Sequence, residues 1–106
     1  MKRYAQVIGV RPEKLDYYKE LHANAWSDVL KMIEECNIRN YSIFVYNNLL
    51  FAYFEYIGND YDADMAKMAA DPTTQKWWDE CGPCQAPVEG RPKGAWWMDI
   101  EEVFHC

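Results

Sequence analysis

At 106 residues the chain carries 17 acidic against 11 basic side chains, a net charge of −6, and half of its residues are apolar. That length supports a single domain over residues 1–106 with one core and no disulfide or metal staples. The basic residues are scattered (Lys2, Arg3, Arg11, Lys14, Lys19), so the electrostatic footprint of a nucleic-acid partner is absent.

The first ten residues, MKRYAQVIGV, hold no apolar run long enough for a signal peptide or membrane span. A cytoplasmic protein without a membrane partner is expected, with Cys36, Cys81, Cys84 and Cys106 as reduced thiols. RYAQVIGV (3–10) reads as a strand, stopped by Arg11-Pro12. From Pro12 to Cys36 apolar residues recur at Leu15, Tyr18, His22, Ala25/Trp26, Val29, Ile33 and Cys36, the period of one long helix. IRNYSIFVY (38–46) and LLFAYFEYI (49–57) form a hairpin joined at Asn47-Asn48, a pair that tolerates left-handed backbone. Asp60 to Ala70 is an acidic helix, and Asp71-Pro72 recaps a second one running through Trp77-Trp78 to about Glu80. Residues 82–94 hold three of the five prolines and three of the five glycines and read as a loop. Ala95 to His105 closes as a last strand.

The order is β-α-β-β-α-β, an α+β, ferredoxin-like arrangement: an antiparallel sheet with helices on one face. On the hairpin, Tyr41, Ile43 and Val45 share one face, with Phe44 and Tyr46 on the other. Helices cover only one side of such a sheet, yet both sides are apolar. A homodimer covering the second face is expected.

Cys81-Gly82-Pro83-Cys84 has the look of a redox centre. A redox pair needs its first thiol at a helix N-terminus after a core strand, where the dipole lowers the thiol pKa. Here the pair ends a helix and opens a proline-rich loop, so it reads as a helix stop with two incidental thiols. A structural zinc site needs two further ligands at short spacing, which Cys36, His105 and Cys106 do not supply; no metal is expected.

Tyr18, His22 and Trp26 are spaced i, i+4, i+8 and share the apolar helix face that meets the sheet. His22 is then a titratable imidazole in a half-buried aromatic setting, suited to proton transfer near neutral pH. Spacing alone also allows a core histidine satisfied by one hydrogen bond. Trp77 and Trp78 are adjacent, so on a helix they point about 100° apart and one is left to line something. Aromatic faces with a few polar tips suit a small polar molecule with one apolar side, such as a deoxysugar. The chain offers no phosphate-binding glycine loop, nucleophile elbow or HExxH, which leaves proton transfer without a cofactor.

RYAQVIGV, YKELHANAW, NYSIF, LLFAYFEY, QKWW and EEVFH together resemble the L-rhamnose mutarotase family from end to end. The resemblance implies a dimeric α+β barrel that interconverts the α and β anomers of L-rhamnose, a monosaccharide, without metal or cofactor. It makes His22 the proton donor and Tyr18, Tyr41, Trp77 and Trp78 substrate contacts. The sequence departs from the family pattern in GPCQAPVEGRPKGAWW (82–97), a long segment expected to form part of the pocket wall. L-Fucose, also a 6-deoxy-L-hexose, would need the same machinery with different hydroxyl contacts. Two competing readings are a non-catalytic dimeric sugar-binding module and a thiol oxidoreductase acting through Cys81.

Overall fold

The computed structural model describes residues 1–106. Strand β1 (Lys2–Val10) lies at the centre of an antiparallel sheet, next to β3 (Leu49–Tyr56), which in turn pairs with β2 (Ile38–Tyr46). Two short strands, β4 (Gln85–Ala86) and β5 (Met98–Ile100), share the other edge of β1. The ferredoxin-like order is therefore present, with the final strand divided in two. The strand expected over 95–105 shrinks to three residues: β4, pairing with Gly9 and Val10, takes the β1 positions that residues 95 and 96 would face, and the chain leaves the sheet after Ile100.

The long helix expected over 12–36 is two helices. A 3-10 turn (Pro12–Lys14) leads into α1 (Leu15–Ala23), and α2 (Ser27–Glu35) follows after a break at residues 24–26. Asn24 causes the break. Its side-chain amide donates to the Glu20 carbonyl at 3.1 Å, supplying locally the partner that a continuing helix would supply. Trp26 then adopts an extended backbone (φ −67°, ψ 134°) and its carbonyl receives Val29 N–H to restart the helix. α3 (Tyr61–Ala70) and α4 (Pro72–Cys81) are capped as expected: Asp60 accepts from Ala63 N–H, and Asp71 accepts from both Thr74 N–H and its hydroxyl.

All four non-glycine residues with positive φ are asparagines. Asn47 and Asn48 (φ 52° and 59°) make the tight hairpin, and Asn37 (φ 66°) ends α2. Asn40 (φ 52°) sits in a bulge: between the pairs Arg39↔Glu55 and Ser42↔Tyr53, two residues of β2 oppose the single Phe54. The extra residue inverts the alternation. Ile38 and Ile43, five apart, both face the helices as a result, and Tyr41 is turned to the same side against Phe54 (ring centroids 5.6 Å apart).

One sheet face packs on the helices. Ile8, Val10 and Leu50 meet Tyr18, Val29, Trp77, Cys81 and Cys84, while Ile38, Phe54 and Tyr56 meet Tyr61, Met65 and Met68. The other face is bare. Register places Phe44, Phe51, Val7 and Met98 in one row straight across it, with Ser42, Tyr53, Ala5 and Ile100 in the next. Phe44 is 64% and Tyr46 77% exposed, so the apolar second face read from the hairpin is present. No helix is long and apolar enough to cross a membrane.

Candidate active site

Between the sheet and the helices lies a cavity of about 470 Å³, within the roughly 300–1,000 Å³ of small-ligand sites. Tyr18, His22, Tyr41, Trp77 and Trp78 all line it. They come from three elements: α1 carries the first two, the β2 bulge carries Tyr41, and α4 carries the tryptophans. The two tryptophans divide as their angular separation requires. Trp77 is 7% exposed and forms the inner wall, whereas Trp78 is 46% exposed and stands at the rim.

His22 is held from three sides. Its ring stacks on Tyr18 (centroids 4.1 Å), and the edge of Trp77 meets it at 5.1 Å. Its Nδ1 lies 2.8 Å from the Tyr18 backbone oxygen. A carbonyl oxygen only accepts, so Nδ1 carries a hydrogen and donates. The neutral ring therefore keeps its lone pair on Nε2, which bonds to no protein group; no buried polar atom lacks a partner, so Nε2 opens to the cavity. Burial lowers the His22 pKa, and the bond to Tyr18 opposes that only in part. At neutral pH the resting group is thus an imidazole with a free basic nitrogen. Trp26 does not share a straight helix with Tyr18 and His22, but its ring still reaches Trp77 at 5.2 Å and backs the inner wall.

None of the 20 lining residues carries a carboxylate, an ammonium or a guanidinium, although the chain has 28 such side chains (17 + 11). The polar groups are neutral: Gln6, Tyr18, His22, Tyr41, Tyr61, Thr74 and Gln85. The remaining wall is aromatic and aliphatic, with Met65, Met68 and Ile38 at one end. Such a chamber admits an uncharged polyol and opposes an anion, whose desolvation no cation would offset.

The sequence pointed to the 82–97 segment as pocket wall without singling out the side chains that line the cavity from it. Trp96 and Trp97 arrive from the 82–97 segment, which does form part of the wall, and a second adjacent tryptophan pair was the available signal. Gln85, buried beside Tyr18, gave none.

The Cys-Gly-Pro-Cys run lies at the C-terminal end of α4, the pole of a helix that disfavours a thiolate. Burial pushes the Cys81 thiol up to about 12 and raises Cys84 as well. Cys81 serves as apolar cavity wall, and Cys84 directs its Sγ to the Glu80 carbonyl at 3.7 Å. No three His, Cys, Asp or Glu side chains converge as a metal-binding group.

A family model described as L-rhamnose mutarotase matches residues 3–106. The chain belongs to the L-rhamnose mutarotase family. The L-rhamnose mutarotase of Oceanobacillus iheyensis is 32% identical over 99% of this chain and 98% of its own length. That of Shouchella clausii is 33% identical at the same coverage. As a member of this family the chain is an isomerase acting on the anomers of a sugar. Among solved structures, the L-rhamnose mutarotase of Formosa agariphila matches with a TM-score of 0.77 at 24% identity, covering 100% of this chain and 99% of that one. Tetracenomycin F2 cyclase of Streptomyces glaucescens, a type-II polyketide cyclase, matches with 0.73 at 14% identity over the same shares. These two likenesses bear on the fold: a curled antiparallel sheet with its helices on one side.

Proposed function

We propose that this mutarotase interconverts the α and β anomers of free L-rhamnose by proton transfer through His22, without a cofactor. The observation that carries the reading is the His22 imidazole, its Nδ1 tied to the Tyr18 carbonyl and its Nε2 left open to an uncharged cavity. Nε2 takes the proton of the anomeric hydroxyl as the bond from C1 to the ring oxygen breaks and the carbonyl forms. The same nitrogen then delivers that proton to the ring oxygen. The C1–C2 bond of the open aldehyde rotates, and the reverse sequence closes the ring on the other carbonyl face. His22 is the proton donor in this cycle, after first having been the acceptor. Only a proton moves, and it returns, so the chemistry asks for no metal, nucleotide or redox partner. Tyr18 and Tyr41 supply hydrogen bonds to sugar hydroxyls, while Trp77 and Trp78 pack on the apolar sugar face and its methyl group. The four thiols suit a cytoplasmic setting, where they stay reduced.

The acid limb of kcat/KM for this reaction reports the free enzyme's base. Burial lowers the folded-state pKa of His22 below its ordinary 6.5, so activity should hold through neutral pH and fall only below 6.5. The sign for stability is the same. The unfolded chain binds the proton first as pH drops, so this contribution is complete above 6.5 and is lost as pH falls through the lowered value. A midpoint above 6.5, from kcat/KM measured between pH 4.5 and 8, would contradict this assignment.

The working form on this reading is a homodimer with the bare sheet faces apposed. The row Phe44–Phe51–Val7–Met98 supplies a continuous apolar centre, and the Arg3–Glu102 ion pair at 2.8 Å lies to one side as polar rim. Placing a charge at the middle of that row (Phe51→Lys) is expected to weaken dimerisation by about 2 kcal/mol or more, roughly 30-fold. Light scattering coupled to size exclusion reads the outcome. A wild-type monomer at micromolar concentration, or a dimer indifferent to the substitution, rejects this interface.

A further inference from the structure

Gln85 is buried and sits in β4 opposite Val10, and its side chain joins two rings of the cavity wall. Trp96 Nε1 donates to Gln85 Oε1 at 2.7 Å, and Gln85 Nε2 lies 3.4 Å from the Tyr18 hydroxyl, a long contact. An indole N–H can only donate, so the amide atom facing Trp96 has to be the oxygen. The NH₂ end is thereby turned to Tyr18, and it too can only donate. The Tyr18 hydroxyl oxygen is the acceptor in that contact. Its own hydrogen meets no protein acceptor, on a side chain that lines the cavity. With the amide reversed, a buried carbonyl would face Tyr18 and capture that hydrogen.

We propose that Trp96 and Gln85 are positioning residues that fix the Tyr18 hydroxyl as a hydrogen-bond donor to the bound sugar. The inference rests on the mutarotase reading and adds a polarity to it. Charge builds on the sugar oxygens as the ring opens, and a donor already aimed at them stabilises that charge without having to reorient. Tyr18 then serves twice: its carbonyl sets the His22 tautomer, and its hydroxyl is set by Gln85. Parts of the sequence that otherwise have no role support the relay. A Cβ at Gly9 would stand 2.5 Å from the Ala86 carbonyl oxygen, so glycine there is what lets β4 dock and bring Gln85 in. Arg91 braces the segment that delivers Trp96, donating to the carbonyls of Ala95 (2.8 Å) and Val88 (3.0 Å).

The test is a double-mutant cycle on anomer exchange and on L-rhamnose affinity, read by tryptophan fluorescence, with folding checked by circular dichroism. Gln85→Met removes the donor, and Trp96→Phe removes the indole N–H that orients the amide. Each is expected to lower exchange about three- to tenfold, near the value of one neutral hydrogen bond. Gln85→Glu keeps the shape and the bond to Trp96 but offers Tyr18 an acceptor, so it should cost more than Gln85→Met. In a Tyr18→Phe background all three substitutions should have no further effect, because the proton they position is gone. Losses that multiply unchanged in that background, or no loss in the single variants, overturn the relay. Should Gln85→Glu fail to fold, Gln85→Met and Trp96→Phe complete the cycle. Wild-type protein that neither binds L-rhamnose nor speeds its exchange overturns the mutarotase reading itself, and the relay with it.

Discussion

Replacing His22 with asparagine is expected to lower enzyme-dependent anomer exchange about 100-fold or more, the scale of a lost positioned acid–base group. The substitution is chosen for what it keeps. An asparagine amide reaches about as far as Nδ1 and can still donate to the Tyr18 carbonyl, so the local tether at the end of α1 survives. What disappears is Nε2, the basic atom open to the cavity. The ring contacts with Tyr18 and Trp77 go as well, at a cost of about 1 kcal/mol each, and the melting temperature should drop by about 8–16 °C. The discriminating comparison is therefore rate against fold. A folded His22→Asn protein that retains full exchange in an NMR saturation-transfer measurement would show that the proton travels by another route.

The tryptophan pair should separate into two phenotypes. Trp77 is almost fully buried against His22, Trp26 and the α2 wall, so Trp77→Ala should destabilise the chain by about 3–5 kcal/mol through lost burial and the cavity left behind. Melting should fall by about 12–40 °C, taking roughly 4–8 °C per kcal/mol for a domain of this size. Trp78 keeps nearly half its surface in solvent, and Trp78→Ala should cost no more than about 1 kcal/mol of stability. Its loss should instead appear in sugar affinity, about 1–2 kcal/mol or roughly five- to thirtyfold in Kd, because it stands at the cavity rim, where the proposed sugar would stack. Calorimetric melting and titration on both variants decide the matter. Equal stability losses, or unchanged affinity in Trp78→Ala, would remove the distinction between inner wall and rim.

Much of this arrangement was legible in residue spacing. The alternation in 3–10 and 49–57, the Asn47-Asn48 turn and the two aspartate caps are local signals with local causes, and each element stands where it was read. The five site residues converge on one cavity because the four-residue spacing of Tyr18 and His22 survives within α1. Trp26 reached its place by a different route from the one expected. Its eight-residue offset from Tyr18 fits a straight helix, yet Asn24 breaks that helix and the extended Trp26 backbone turns the ring to Trp77 instead. The bulge was illegible for a related reason. Asn40 tolerates left-handed backbone, but nothing in NYSIF says that the parity of the strand changes there. Gln85 depends on three things distant in sequence: the missing side chain of Gly9, the indole N–H of Trp96 and the hydroxyl of Tyr18. No local pattern encodes such a meeting. The Cys-Gly-Pro-Cys run makes the converse point, since a motif's chemistry lies in its placement, and at the C-terminal end of α4 these thiols are held protonated.

An uncharged cavity with one free imidazole nitrogen should turn over a free sugar. The most direct test is anomer exchange followed by NMR saturation transfer on L-rhamnose, L-fucose and an L-rhamnose phosphate ester, at neutral pH and increasing protein concentration. Exchange of L-rhamnose should rise in proportion to protein, with a weaker response for L-fucose and none for the phosphate, for which the cavity offers no cation. Exchange of L-rhamnose at the buffer rate, while the sugar measurably binds, would contradict this.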